Sequence, residues 1–170
     1  MGNWKIIVFF LTGTVFFFLL LRWQGQALVT PASPAGIVSF ELAFHKHNAA
    51  AITEAWKQGH GLAFFLNILL DFLMIPFYGL FFYSICGFFS EQYKTGIRQR
   101  VAVLLAFGSL MAVIMDIGEN LLMLFSFYIS VAGPVVWMTG AVAVLKFAFI
   151  ACCLAYILFS SVYLLLKKLV

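Results

Sequence analysis

The sequence predicts an all-α fold: a polytopic membrane four-helix bundle with one or two short amphipathic helices in the outer loop. The 170-residue chain is 65% hydrophobic and only 9% charged, whereas charged residues make up about a quarter of a soluble domain. Four stretches are long and apolar enough to cross a bilayer as helices. They leave too few residues for a separate soluble unit, so we expect one transmembrane domain over residues 1–170.

The predicted spans cover about residues 5–21, 61–89, 101–129 and 135–166. They are rich in Leu, Ile, Val and Phe, and a helix that is apolar all round belongs in a membrane or a large core. The first span follows Lys5 as a signal peptide would. However, its apolar run is longer than the usual hydrophobic region of such a peptide, Arg22 follows at once, and no convincing cleavage site comes next. We interpret it as a retained helix.

The outer loop, residues 22–60, contains two signals for short helices. Ser33 followed by Pro34, and Asn48 followed by three alanines, are patterns typical of helix N-termini. They predict helices over about residues 34–46 and 49–58, and the glycine at position 59 then favours a stop before the second span.

These loop helices have two interpretations. Glu41 and His45 are four residues apart and should share a helix face, so together with Trp56 they form a candidate lid over the bundle. Alternatively, the apolar faces of both helices lie on the outer membrane surface as an anchor. The sequence leaves both open.

Basic residues indicate the orientation, because they concentrate on the cytoplasmic side of membrane proteins. They lie between the second and third spans and at the C-terminal end: Lys94, Arg98, Arg100, Lys167 and Lys168. Four spans then place both termini inside and the long loop outside. We predict an integral protein of the bacterial inner (plasma) membrane with N-in, C-in topology.

Five polar residues sit inside the last three spans: Asp71, Asp116, Glu119, Asn120 and Lys146. A charge in hydrocarbon costs about 2.5–3.5 kcal/mol on insertion scales, so intramembrane ionisable groups are functional candidates. Counted along their helices at about 1.5 Å per residue, these residues fall at similar depth. We therefore expect them to form one cluster.

The spacing along the second and third spans supports a common polar face. Asn67, Asp71 and Tyr78 follow one stripe of the second helix, and the third-span residues follow another. We predict that seven residues bind a ligand or ion: Asp71, Asp116, Glu119, Asn120, Lys146, Asn67 and Tyr78. Three acids against one lysine leave an excess negative charge, which retained protons, a bound cation, a cationic ligand or hydrogen bonds must compensate.

Other residues carry weaker signals. Cys86, Cys152 and Cys153 contain no CxxC pair, so we interpret them as packing residues. A metal site could be drawn from the loop histidines with Glu41, but no fixed ligand spacing supports it, and we predict no metal. The four tryptophans, Trp4, Trp23, Trp56 and Trp137, fit interfacial aromatic belts. Catalytic residues and cofactors stay unassigned.

The second span, with an acid followed by Pro76, Phe77 and Tyr78, resembles the sterol-isomerase-related (EXPERA) membrane proteins, which also match in size and span number. The stretch from Asp116 to Asn120 and Lys146 have no counterpart in that pattern. The resemblance implies a sterol-like or lipid ligand and transfers no site residue.

Three hypotheses follow. The first is a pocket that binds a small amphipathic, lipid-like or cationic ligand and could do acid–base chemistry on it. The second is proton- or cation-coupled transport through the same acids, which requires a wet path past Cys86 towards Arg100. The third is a non-enzymatic subunit or assembly factor of a larger membrane complex. Expected partners are membrane lipid, a small hydrophobic or cationic ligand, and a second copy or a membrane-complex partner, with no nucleic acid.

Overall fold

The computed structural model describes residues 4–93 and 95–169, and this part of the chain is helical with no strand. The helices are α1 (Trp4–Gln24), α2 (Ile37–Glu41), α3 (Lys46–Lys57), α4 (Gly61–Gln92), α5 (Ile97–Tyr128) and α6 (Gly133–Leu169). A 3₁₀ turn, Gly25–Leu28, extends α1. Lys94, one basis of the predicted topology, lies outside the described residues.

Four helices, α1 with its 3₁₀ extension, α4, α5 and α6, are long and apolar enough to cross a membrane. This confirms the prediction of four apolar spans and fits an integral membrane protein. The helices extend beyond the predicted spans at several ends. Gln92 still belongs to α4 and Gly133 already belongs to α6, because polar residues can continue a helix past the apolar stretch that the hydropathy pattern detects.

The long helices pack in chain order, with α4 between α1 and α5, and α5 between α4 and α6. Helix α6 also contacts α4, whereas most of α1 is exposed and Ile7 is its buried residue. The close approach of α5 and α6 depends on a glycine at their contact. A Cβ on Gly108 would lie 1.9 Å from the Phe149 ring, so only glycine leaves room for that ring. Small residues of this kind let membrane helices pack closely.

The loop between α1 and α4 folds over one end of this bundle. Its residues Leu28, Phe40 and Trp56 are buried in one apolar cluster with Phe64 of α4 and Phe127 of α5. The Trp56 and Phe64 rings stack with centroids 5.5 Å apart. The apolar faces of α2 and α3 therefore contact protein, which argues against the surface-anchor interpretation.

The loop helices differ from the predicted ones at their starts. Ser33 does not cap a helix at Pro34, because its hydroxyl donates to the buried Leu28 carbonyl (2.7 Å). Helix α2 begins only at Ile37, after Gly36 with φ of 60°. Helix α3 begins at Lys46, and Asn48 is an exposed residue of its first turn.

Two side-chain expectations in the loop are wrong. Glu41 and His45 do not share a face, because α2 ends at Glu41 and the backbone turns at Phe44, whose φ is 51°. Glu41 is buried and His45 is exposed. Trp56 is not interfacial, since it is 0% exposed and its Nε1 donates to the Leu28 carbonyl (3.0 Å) and to Ser33 Oγ (3.1 Å).

The other three tryptophans, Trp4, Trp23 and Trp137, are 60–71% exposed. They remain compatible with aromatic belts, whereas a fully buried indole must find its hydrogen-bond acceptor inside the protein.

Candidate functional site

Lys146 is the centre of a buried polar cluster. Its Nζ lies 2.8 Å from Asp116 Oδ1 and 2.8 Å from Glu119 Oε2. The residues are 5%, 2% and 0% exposed. The i, i+3 spacing of the two acids places both on the α5 face towards α6, where the lysine meets them. One ammonium group thus neutralises two carboxylates in part.

Helix α4 joins the cluster through two hydrogen bonds. Tyr78 donates its hydroxyl to Asp116 Oδ2 (2.7 Å), and Asn120 Nδ2 donates to Asp71 Oδ2 (2.7 Å). Asp71 is only partly buried. These contacts bring together six of the seven predicted site residues, and the depth arithmetic predicted this for all of them except Tyr78.

Asn67 is the seventh predicted residue, and its hydrogen bond is elsewhere. Its Nδ2 donates to Gln24 Oε1 (2.6 Å), and Gln24 Nε2 donates to the Ala63 carbonyl (2.7 Å). This chain of bonds ties the end of α1 to α4 one turn away from Asp71. Sequence analysis missed Gln24, although a polar residue ending an apolar span is a candidate for a partner on the next helix.

Glu41 also belongs to the cluster. From the sequence it was assigned to the candidate lid and was not linked to the intramembrane acids. It is 7% exposed, and its helix contacts both α5 and α6. Burial raises the pKa of Glu41 above its usual 4.5, the positive charge of Lys146 opposes that rise, and Asp116 adds to it. The loop therefore supplies a fourth carboxylate to the cluster.

Charge within the cluster is strongly unbalanced. Glu41, Asp71, Asp116 and Glu119 are four acids, and Lys146 is the basic residue among them. If all were ionised, the cluster would carry a charge of about −3, which a poorly solvated site does not tolerate without protons or cations.

Several acceptor atoms in the cluster also lack a donor. Glu41 Oε2, Glu119 Oε1 and Asn120 Oδ1 are buried, and no described residue donates a hydrogen bond to them. Most buried polar groups in proteins have a partner, and each exception calls for an explanation. The site is therefore rich in acceptors and short of donors.

The loop closes the cluster on one side. The Phe44 ring packs against Gly140 of α6, where a Cβ would lie 2.8 Å from the ring. Phe44 and Glu41 flank the turn that ends α2. The segment 41–44 thus places one aromatic ring and one carboxylate directly over α6.

Beyond Tyr78, whose hydroxyl donates to Asp116, the described part of the bundle packs mainly through apolar side chains towards Gln92. Phe82, Cys86 and Phe89 of α4 are at most 6% exposed and belong to one apolar cluster with Cys153 of α6. This layer occupies the region that a wet path past Cys86 would have to cross.

The remaining candidates do not gather into a site. Cys86 and Cys153 are buried, Cys152 is exposed, and all are free. His45 and His47 are exposed. Within residues 4–93 and 95–169, no three His, Cys, Asp or Glu side chains are placed to hold a metal ion.

Comparisons with protein-family models, with curated proteins and with solved structures found no match. The resemblance of the second span to the EXPERA proteins thus gains no support from a family model. Four long apolar helices fit an integral membrane protein, and the buried cluster is its candidate functional site.

Proposed function

We propose that this protein binds a small cationic or amphipathic ligand at the buried cluster, from an N-in, C-in position in the bacterial inner membrane. One observation carries the proposal: three buried acids and the partly buried Asp71 gather around a single lysine, and three buried acceptor atoms receive no hydrogen bond from any described residue. A cationic ligand would supply both the missing charge and the missing donors.

The chemistry of the cluster favours an ammonium group. Lys146 already holds a primary ammonium 2.8 Å from two carboxylates, and such a group offers three donors and no acceptor. Glu41 Oε2 and Glu119 Oε1 could receive a second ammonium group. The partly exposed apolar residues around the loop end, Ile37, Leu124 and Val131, would contact the hydrocarbon part of an amphipathic amine.

Acid–base chemistry on the ligand is compatible with this arrangement. Tyr78, Asp116, Lys146 and Glu119 form a continuous series of contacts through which a proton could be redistributed. In such a site a protonated acid donates and an ionised acid accepts.

Native mass spectrometry of the detergent-purified protein tests the proposal. The wild type is compared with Asp71→Asn, Asp116→Asn and Glu119→Gln, with Glu54→Gln as a control at an exposed acid of α3. Each protein is measured as purified and after addition of a long-chain alkylamine.

We expect the wild type and the control to retain an amine or a copurified small molecule that the three cluster variants lose. Equal occupancy in all five proteins, or no occupancy in the wild type, would refute the proposal. Circular dichroism separates loss of binding from loss of fold.

Transport is the alternative, and the buried carboxylates are its supporting observation. The apolar layer from Phe82 to Phe89 argues against a path through a single copy. Proton or cation flux into liposomes that requires Asp116 and Glu119 would favour transport. Copurification of another membrane protein at fixed stoichiometry would favour a role as a subunit or assembly factor.

A further inference from the structure

A groove lies at the other end of the bundle, where α4 ends and α5 begins. It has a volume of about 320 Å³ and runs along α4 between α1 and α5. Its lining includes Ile7 of α1, Gly87 and Glu91 of α4, and Val103 and Phe107 of α5. Glu91 is an exposed acid of the last turn of α4 that is already engaged in an interaction within the protein. The apolar layer below the polar cluster separates it from that cluster.

Gly87 leaves the groove open. No atom lies within 4 Å of a Cβ built at this position, so a larger side chain would extend into free space. The neighbouring Ser90 turns its hydroxyl to the Gly87 carbonyl (2.7 Å), which satisfies that polar group within α4. The groove can therefore accept a hydrocarbon chain beside Gly87.

The groove continues towards a basic side chain. Val103 and Phe107 also line a shallower depression along α5 that reaches Gln99 and Arg100. The guanidinium of Arg98 lies 3.9 Å from the centre of the Tyr163 ring, so this arginine is engaged by α6. Arg100 is exposed and points to the side of α5 on which the depression lies.

We propose that this surface binds an anionic phospholipid, with one acyl chain in the groove beside Gly87 and the phosphate at Arg100. Apolar contact alone would not select a lipid, because lipid tails in a bilayer are already in hydrocarbon. Selection must therefore come from the headgroup. A basic residue near the surface favours an anionic headgroup enough to give about a fivefold preference over a zwitterionic one.

The test is native mass spectrometry of the full chain in mixed micelles that contain equal amounts of phosphatidylglycerol and phosphatidylethanolamine. The variants are Arg100→Gln, which removes the charge, and Gly87→Leu, which fills the groove. Gly87→Leu should fold, because leucine is the better helix former and its Cβ meets no atom. Arg22→Gln is the control, since Arg22 is an exposed arginine at the opposite end of α1.

We expect the wild type and Arg22→Gln to retain phosphatidylglycerol about fivefold over phosphatidylethanolamine. Arg100→Gln should retain both lipids equally, and Gly87→Leu should lose both. Three results would overturn the proposal: no preference in the wild type, equal losses in Arg22→Gln and Arg100→Gln, or unchanged retention in Gly87→Leu. The cluster acids do not contribute to this site, so the outcome does not depend on the proposed function.

Discussion

Replacement of Lys146 by methionine is the most direct perturbation of the cluster. Methionine is also unbranched and only one atom shorter, and it removes the ammonium that lies 2.8 Å from both Asp116 and Glu119. Breaking a buried ion pair by removing one partner costs about 3–5 kcal/mol. Because about 2–4 °C of melting temperature corresponds to 1 kcal/mol in a chain of this size, we expect a fall of roughly 6–20 °C.

Thermal unfolding in detergent, followed by circular dichroism, measures this fall. Lys46→Met is the matched control, because Lys46 is exposed at the start of α3, and surface substitutions usually change stability by no more than about 0.5 kcal/mol. The loss should shrink at low pH, where the acids take up protons. Equal melting temperatures for the two variants would refute the conclusion that Lys146 compensates buried charge.

A triple variant tests whether unpaired charge causes the loss of stability expected for Lys146→Met. Combining Lys146→Met with Asp116→Asn and Glu119→Gln removes the ammonium and both of its carboxylate partners. Replacing a whole buried ionic group is often nearly neutral, so the triple variant should recover most of the lost stability. If it is as unstable as Lys146→Met alone, packing around the lysine rather than charge explains the effect.

Three further predictions concern the loop and the helix contacts. Burial raises the pKa of Glu41 above 4.5. The folded protein therefore gains stability from protonated Glu41 that is complete below pH 4.5 and is lost as the pH rises through the raised pKa. Glu41→Gln should flatten this fall of melting temperature with pH. Gly108→Ala should cost about 1–3 kcal/mol by overpacking the α5–α6 contact, measured by thermal unfolding. Trp56→Phe should cost about 1–3 kcal/mol, because it removes two buried hydrogen bonds that contribute about 0.5–1.5 kcal/mol each, and limited proteolysis should then cut the loop faster.

Each of these has a control in the chain. Glu54→Gln removes an exposed acid and should leave the pH profile unchanged. Gly118→Ala meets no atom and should be neutral or gain about 1 kcal/mol in helix propensity. Trp23 is 71% exposed, so Trp23→Phe should not alter proteolysis. A control that behaves like its test variant contradicts the corresponding prediction.

Much of the bundle could be predicted because its determinants are local in sequence. Hydropathy indicated the four long helices. The 1.5 Å rise per residue brought Asp71, Asp116, Glu119 and Lys146 to one depth, and their contacts agree with it. Helical spacing likewise placed Tyr78 on the same face of α4 as Asp71, since residues seven apart share a face, and in the structure its hydroxyl reaches Asp116.

The errors concern residues whose partners depend on the path of the loop. Glu41 enters the cluster because α2 stops there and the chain turns at Phe44, which the spacing of apolar residues does not encode. The pattern at Ser33 predicted a helix start, but the Ser33 hydroxyl donates a hydrogen bond to the buried Leu28 carbonyl instead. Asn67 bonds Gln24, because the end of α1 approaches α4 at that turn.

The apolar layer below the cluster has an electrical consequence. A full crossing of the membrane by one elementary charge involves about 2.3 kcal/mol per 100 mV. Phe82, Cys86 and Phe89 close the far side of the cluster, so a cation that enters from the loop end and leaves the same way traverses only part of that potential and does no net work. Binding at the cluster would then respond to voltage while passing no current.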